Sequence, residues 1–101
     1  MLWHCWDYFL WLERALIHYP NSATIQIDLA IAYLENSNYK KCYDYITRAI
    51  KNNPNNARAW AWRGKYYMQQ SEYKQALKDV KQSLKIDTSN ALALEVRGNI
   101  Y

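Results

Sequence analysis

Turn-forming residues are scarce in this sequence, which has only two glycines and two prolines among 101 residues. So few of them leave little room for loops or for a sheet with tight turns. Half of the residues are hydrophobic, which argues against a disordered chain. The length corresponds to one domain or to a piece of one.

Cysteine is equally scarce, since Cys5 and Cys42 are the only two and lie far apart in the chain. They fit neither a disulfide framework nor a metal-binding motif. Two thiols without a secretory leader favour a reducing compartment, so we predict a cytoplasmic protein. The apolar N-terminus is interrupted by Asp7, Glu13 and Arg14, and it therefore predicts neither a signal peptide nor a membrane span.

Residues suited to catalysis or metal binding do not form a recognisable set. His4 and His18 have no cysteine or aspartate at a working spacing. The sequence has no glycine-rich phosphate loop. Five carboxylates are scattered over different predicted helices and are interpreted as ordinary surface residues: Asp28, Glu35, Asp44, Asp79 and Glu95. We therefore predict that the protein is not an enzyme and binds no cofactor and no metal.

The sequence repeats itself every 34 residues, from Pro20 to Pro54 and from Pro54 to Thr88. Three similar phrases open the copies: Pro20-Asn21-Ser22-Ala23, Pro54-Asn55-Asn56-Ala57 and Thr88-Ser89-Asn90-Ala91. A period of this length is typical of a stacked array of helix pairs. We predict four segments: a second helix of a preceding repeat at 1–19, full repeats at 20–53 and 54–87, and the first helix of a further repeat at 88–101.

Apolar residues at three- and four-residue steps predict helices over 1–18, 22–35, 39–51 and 57–69, then two more in the second and third copies. Asn21 or Ser22, then Ser37 and Ser71, are the predicted helix caps. The predicted packed faces comprise Cys5, Tyr8, Phe9, Leu12, Ala15 and Leu16; Ile25, Leu29, Ala32 and Tyr33; Tyr39, Cys42, Tyr43, Ile46, Ala49 and Ile50; and Tyr73, Ala76, Leu77, Val80, Ser83 and Leu84.

Three tryptophans on the first helix, Trp3, Trp6 and Trp11, lie largely outside its packed face. Three exposed tryptophans on one helix are unusual for a finished surface. Either a preceding helix of a longer chain covers them, or they contact a partner or a membrane surface.

The second copy resembles the tetratricopeptide repeat through Trp60, Arg63-Gly64, Tyr67, Ala76, Val80 and Thr88. The first copy matches through Leu29-Ala30, Tyr33, Cys42, Ile46, Ala49 and Pro54, and the third through Leu94, Arg97-Gly98 and Tyr101. Departures are Gln26 in place of the aromatic residue, and Ser37 and Ser71 where the turn often carries glycine. The resemblance implies an all-α fold, a right-handed solenoid of antiparallel helix pairs. Small residues, namely Ala30, Cys42, Gly64, Ala76 and Gly98, are expected where two helices approach closely.

The resemblance also implies a non-catalytic scaffold or adaptor that binds a protein or peptide in a concave groove lined by the first helix of each repeat. The corresponding positions are Ile27, Asp28, Ile31, Arg58, Trp62, Lys65, Gln69, Leu92, Glu95, Val96 and Asn99. Because the sequence stops inside a predicted helix without a polar capping helix, we also expect it to be part of a larger chain or complex. We expect an apolar or amphipathic segment anchored at Trp62, unless Trp62 packs against further repeats. Family members that clamp the C-terminal carboxylate of heat-shock chaperones carry basic and amide residues at such positions, so we predict that this chain is not one of them.

A net charge of +4 and four lysines on one predicted helix face, Lys74, Lys78, Lys81 and Lys85, raise the question of nucleic acid. No dense basic block is present, so we interpret the lysines as a solvated face and do not expect nucleic acid as a partner. The alternative function is an RNA-processing factor of the related half-repeat type.

Overall fold

The fold consists of six α-helices and, in the part of the chain described, no strand. In this computed structural model the backbone is described for residues 2–100 and the side chains for residues 7–100. The helices are α1 (Leu2–His18), α2 (Ala23–Glu35), α3 (Tyr39–Asn52), α4 (Ala57–Gln69), α5 (Tyr73–Ile86) and α6 (Ala91–Ile100). The predicted helices are confirmed, with ends that differ by one or two residues. The side chains of Cys5, Trp3 and Trp6, and all of Tyr101, lie outside the described part.

The chain divides into two compact units, Met1–Asn52 and Asn53–Tyr101. The first unit contains α1, α2 and α3, with α2 packed against both of the others. Its core includes Leu12, Leu29 and Ile46, which are fully buried. Ala30 and Cys42 are buried as expected of small residues at a helix–helix contact. Burial raises the pKa of the Cys42 thiol to about 12, because an apolar environment disfavours the thiolate.

The second unit contains α4, α5 and α6, which pack against one another. Ala61, Val80, Ala93 and Val96 form its buried apolar cluster, and Met68, Leu84, Leu92 and Ile100 pack against that cluster. Gly64 lets α4 approach α5: a Cβ atom there would lie 2.7 Å from a methyl carbon of Val80. By contrast, a Cβ atom at Gly98 would meet nothing within 4 Å, so the expected close contact at this glycine is not present.

Four of the tyrosines that were expected to face inward are exposed instead: Tyr8, Tyr39, Tyr43 and Tyr73. Tyr39 and Tyr73 are the first residues of α3 and α5, at the edge of each helix pair. A phenol is large and keeps its hydroxyl in solvent or on a polar partner, so the narrow seam between helices is filled by smaller residues. The prediction that Trp11 lies outside the packed face is confirmed.

Ser37 and Ser71 end the preceding helices and do not cap the following ones, so that part of the sequence prediction was wrong. Both have a φ of 61°, in the left-handed region. The amide of Ser37 donates to the carbonyl of Leu34 at 3.0 Å, and the next amide, of Asn38, donates to Tyr33 at 2.8 Å. Ser71 makes the equivalent bonds. This is the Schellman motif, whose left-handed position normally carries glycine.

Replacing Ser37 or Ser71 with glycine is therefore expected to stabilise the chain by about 0.5–1 kcal/mol, because glycine adopts a positive φ without the clash of a Cβ atom. Chemical denaturation of each variant measures the change. Ser22→Gly is the matched control, since Ser22 has a φ of −73° and its side chain caps α2 through the amide of Ile25. This control should lose a few tenths of a kcal/mol. Destabilisation of both Ser37→Gly and Ser71→Gly would contradict the prediction.

Gln26 and Trp60 stand at the same position of successive copies and make the same hydrogen bond. The side-chain amide of Gln26 donates to the carbonyl of Pro20 at 2.9 Å. The indole N–H of Trp60 donates to the carbonyl of Pro54 at 2.8 Å. In both cases the bond ties the helix to the proline that opens the repeat. The departure from the aromatic residue at Gln26 thus preserves the contact that this position makes.

Candidate functional site

The predicted binding positions on α2 divide into one buried and two partly accessible residues. Asp28 and Ile31 are partly buried. Ile27 is fully buried, with 0% of its surface exposed, so it cannot contact a partner. The reason is that α2 packs against both α1 and α3 and buries more than one of its faces. Ile27 is therefore a core residue of the first unit.

On α4 the four predicted positions form one stripe along the helix, because they are spaced by four, three and four residues. Arg58 and Gln69 at its ends are exposed, and Trp62 and Lys65 between them are partly buried. The ammonium of Lys65 lies 5.4 Å from the centre of the Trp62 ring. Such a cation–π contact stabilises an exposed pair by about 0.5–1 kcal/mol and restrains the indole on the surface of α4.

On α6 the predicted positions again include one core residue. Glu95 and Asn99 are exposed, and Leu92 is partly buried. Val96 is only 1% exposed and belongs to the apolar cluster with Ala61 and Val80, so the prediction that it lines a groove was wrong. Because α6 packs against both α4 and α5, position 96 falls in the seam between them. In the second unit, the accessible predicted residues thus lie on α4 and α6.

Asp79 is not a surface residue, contrary to the sequence interpretation. Its carboxylate accepts two hydrogen bonds from the guanidinium of Arg63, at 2.8 and 3.0 Å. The Asp79 side chain is 3% exposed and that of Arg63 17%. The guanidinium also lies 5.0 Å from the Trp60 ring centre. This bidentate pair joins α4 to α5 within the second unit.

A signal for this ion pair is present in the repeat itself. The positions of Arg63 and Asp79 are occupied in the first copy by Leu29 and Tyr45, which are 34 residues earlier. Both members of the pair thus change from uncharged to charged in the same copy. Other positions also become charged in the second copy, among them Arg58, Lys65 and Lys81, so the comparison of copies makes Arg63 and Asp79 one candidate pair among several.

In the first unit, stacked aromatic rings take the place that the Arg63–Asp79 ion pair has in the second unit. Tyr33 and Tyr45 stack with ring centres 5.6 Å apart, and Phe9 contacts Tyr33 edge-on at 5.0 Å. The Tyr33 hydroxyl donates to Glu13 at 3.3 Å. Burial, followed by the negative charge of Glu13, raises the pKa of Tyr33 to about 12. An open cleft beside these rings is lined by Leu16, Ile17 and Lys41, among others.

The lysine stripe of α5 is solvent-exposed along its whole length. The acidic residue of that helix, Asp79, is turned away from it and paired with Arg63. Among the described residues, no group of three or more histidine, cysteine or acidic side chains could hold a metal ion. None of the described helices is long and apolar enough to cross a membrane.

Known proteins of similar fold were found among solved structures. The tetratricopeptide repeat domain of Arabidopsis OM64 superimposes with a TM-score of 0.85 at 22% sequence identity, covering 91% of this chain and 76% of that one. The second such domain of human RPAP3, solved in complex with the HSP70 peptide SGPTIEEVD, gives 0.80 at 22% identity, with coverages of 91% and 77%. MamA gives 0.83 at 22% identity, with coverages of 96% and 57%. At this identity the likeness shows the fold alone.

The predicted class of fold, an all-α repeat of paired helices, is thereby confirmed. A search among curated protein sequences gave no match. The sequence model of one family, described as anaphase-promoting complex, cyclosome, subunit 3, matches residues 8–83, well over half of the chain. The chain therefore belongs to that family, and it is a tetratricopeptide repeat protein.

Proposed function

We propose that this chain is a protein-interaction module that holds an apolar or amphipathic polypeptide segment against the stripe on α4, with Trp62 as the anchor. A tetratricopeptide fold points to protein–protein interaction in general. The proposal that Trp62 anchors a bound segment is supported chiefly by one observation: the Trp62 ring is partly buried and is held on the surface of α4 by Lys65. Tryptophan is among the residues that most often dominate binding energy at interfaces.

The residues around Trp62 favour a segment with both apolar and polar side chains. Leu92 on α6 and the indole of Trp62 offer apolar surface, while Arg58 and Gln69 offer polar groups at the ends of the α4 stripe. Glu95 and Asn99 are exposed on α6. An amphipathic segment could place its apolar residues on Trp62 and its polar residues at the edges. Asp28 and Ile31 in the first unit remain predicted contacts.

The family is named after a subunit of a multiprotein complex. On the basis of that name, we propose that the module acts as a scaffold or adaptor, without catalysis, within a larger assembly. The RPAP3 domain was solved with a peptide that ends in Glu-Glu-Val-Asp. We do not propose that ligand for this chain. Arg58 and Lys65 are the only cationic residues among the predicted groove positions, and the ammonium of Lys65 lies over the Trp62 ring.

The test is a selection of binders from a phage-displayed library of random peptides, followed by fluorescence anisotropy with the labelled peptides. We expect amphipathic sequences, and we expect Trp62→Ala to weaken their binding by about tenfold or more. Tyr73→Ala is the matched control, because Tyr73 is an exposed aromatic residue on α5. Thermal melts followed by circular dichroism verify that both variants fold.

Three results would contradict the proposal: no peptide is selected, Trp62→Ala binds the selected peptides as tightly as the original chain, or Tyr73→Ala weakens them equally. A parallel titration uses the peptide SGPTIEEVD, for which we expect no saturable binding up to about 1 mM. Tight binding of that peptide would show that the chain recognises an acidic C-terminus and would overturn the proposed apolar selectivity.

A further inference from the structure

The lysine stripe of α5 is a row of positive charge without a negative one. It consists of four exposed residues spaced by four, three and four positions: Lys74, Lys78, Lys81 and Lys85. In the part of the chain that the structure describes, none of the four forms an ion pair. The acid within α5, Asp79, is buried in its pair with Arg63 and neutralises none of them. The stripe thus presents uncompensated charge along about 16 Å of helix.

This charge belongs to the second copy and is not a general property of the repeat. On α3, 34 residues earlier, the same four positions hold an acid and a neutral residue between two lysines: Lys40, Asp44, Thr47 and Lys51. The first unit has five basic and five acidic residues, and the second has eight basic and four acidic ones. The whole net charge of +4 therefore lies in the second unit, and the lysine stripe is its densest part.

A cleft between α4 and α5, of about 250 Å³, opens beside the middle of the lysine stripe. Its lining residues are Trp60, Arg63, Gln75, Lys78, Asp79 and Gln82. Lys78 thus belongs to both the stripe and the cleft. At about 100° per residue, Gln75 and Gln82 lie together along one edge of the stripe. Their side-chain amides and the ammonium of Lys78 are hydrogen-bond donors that suit a carboxylate.

We propose that the lysine stripe and the cleft beside it bind an acidic α-helical segment of a partner protein. A second helix has the same rise per residue, so carboxylates spaced by four, three and four residues match the four ammonium groups. The carboxylate that faces Lys78 also reaches the cleft, where Gln75 and Gln82 donate to it. Trp62 lies about 200° from Trp60 around α4, so this surface is separate from the one proposed above.

The residues of this surface favour an acidic polypeptide over a nucleic acid. The stripe contains lysine alone, whereas arginine is the residue that binds phosphate groups in a bidentate manner. Surfaces for single-stranded nucleic acid interleave their basic residues with rings on which bases stack. The exposed ring of α5, Tyr73, is about 100° around the helix from Lys74 and thus outside the stripe. The Trp60 ring already has the guanidinium of Arg63 over it, 5.0 Å from its centre.

The probe is an alanine-based helical peptide of about 20 residues with four glutamates spaced by four, three and four. Fluorescence anisotropy with an uncharged dye measures its binding to the 101-residue chain. We expect a Kd on the order of 100 µM at about 20 mM salt, and binding about tenfold weaker at about 150 mM salt, because exposed ion pairs are weak and screened. A peptide of the same composition with consecutive glutamates should bind at least about threefold more weakly.

The variant Lys78→Asp/Lys81→Thr gives α5 the residues that α3 carries at the same positions. It should weaken binding of the matched peptide by about tenfold or more, because one attractive contact becomes repulsive and another is lost. Gln75→Ala/Gln82→Ala removes the two amides of the cleft and should weaken binding by about threefold.

Two controls should leave binding of the matched peptide unchanged. Lys40→Ala/Lys51→Ala removes two exposed lysines from the corresponding positions of α3. Trp62→Ala removes the anchor of the surface proposed above, so its result separates the failure of one proposal from the failure of the other. Circular dichroism of each variant verifies that the helices are retained.

A charge exchange tests the register directly. Lys78→Glu should lose binding of the matched peptide and regain it with a peptide in which one central glutamate is replaced by lysine. Rescue by replacement of the second glutamate indicates parallel helices, and rescue by replacement of the third indicates antiparallel ones. If neither peptide rescues Lys78→Glu, the proposed pairing of the helices is wrong.

Three other results would overturn the proposal. One is equal binding of the matched peptide and the peptide with consecutive glutamates. Another is unchanged binding by Lys78→Asp/Lys81→Thr. The third is tighter binding of an oligouridylate of about 12 nucleotides that the same variant abolishes, which would assign the surface to nucleic acid.

Discussion

Replacing Arg63 with leucine is expected to destabilise the chain by about 3–5 kcal/mol, because it leaves the buried carboxylate of Asp79 without its partner. The loss is large against the roughly 5–15 kcal/mol that stabilises a typical domain. Urea denaturation followed by circular dichroism measures it. Arg97→Leu is the matched control, since Arg97 occupies the same position of the next copy but is exposed on α6, and its replacement should change stability by less than about 0.5 kcal/mol.

The first copy supplies the compensating change. There Leu29 and Tyr45 stand at the positions of Arg63 and Asp79, and Tyr45 stacks on Tyr33. We expect the double variant Arg63→Leu/Asp79→Tyr to recover most of the stability that Arg63→Leu loses, because uncharged side chains replace both members of a buried ion pair. Tyr67 is the counterpart of Tyr33 in this copy, and its ring lies 5.9 Å from the guanidinium that Arg63→Leu removes. If the double variant is destabilised by the sum of the losses measured for Arg63→Leu and Asp79→Tyr alone, the two residues are not energetically coupled and this prediction is wrong.

Alanine substitutions at the two glycines are expected to act in opposite directions. Gly64→Ala places a Cβ atom 2.7 Å from a Val80 methyl and 3.3 Å from the Ala76 carbonyl oxygen. Overpacking of this kind costs about 1–3 kcal/mol, and the better helix propensity of alanine offsets up to about 1 kcal/mol of it. Because Val80 is β-branched and fully buried, it has little freedom to move aside. We expect a net loss of about 1–2 kcal/mol.

Gly98→Ala meets open space and is expected to stabilise the chain by up to about 1 kcal/mol. Both glycines follow an arginine inside a helix, so the pair of variants separates packing from helix propensity. Melting temperatures of the two variants, measured side by side, give the comparison. Equal stabilisation by both substitutions would mean that α4 and α5 are not in close contact at Gly64.

The turns illustrate a limit of prediction from local sequence. Serine after a helix and before a run of helix-forming residues is a common N-cap, and Ser37 and Ser71 were predicted in that role. With only three residues between the helices, however, the chain must reverse around one left-handed residue, and each serine takes that conformation. Asn38 then caps α3, its side chain accepting from the amide of Lys41 at 3.4 Å. The glycine that the tetratricopeptide repeat often carries at this position predicts the turn conformation better than the preference of serine for N-caps does.

Local sequence was equally limited in predicting which residues of the candidate site are buried. The four-three-four spacing places Arg58, Trp62, Lys65 and Gln69 along one side of α4, where two are exposed and two are partly buried. It could not tell that Ile27 and Val96 are closed off, because each lies on a helix that packs against two neighbours. Nor could composition alone tell that Asp79 is internal, since a buried carboxylate depends on an arginine 16 residues away in the chain.

The sequence by itself determined the 34-residue period, the presence of six helices and the class of fold. These follow from local physics, because helix periodicity, proline placement and helix propensity act between residues only a few positions apart. The tertiary structure alone decided which stripe residues remain accessible, which carboxylate is buried, and that Gly64 but not Gly98 sits at a close contact. Those properties depend on side chains that neighbouring helices bring together, and no residue's immediate neighbours in the chain specify them.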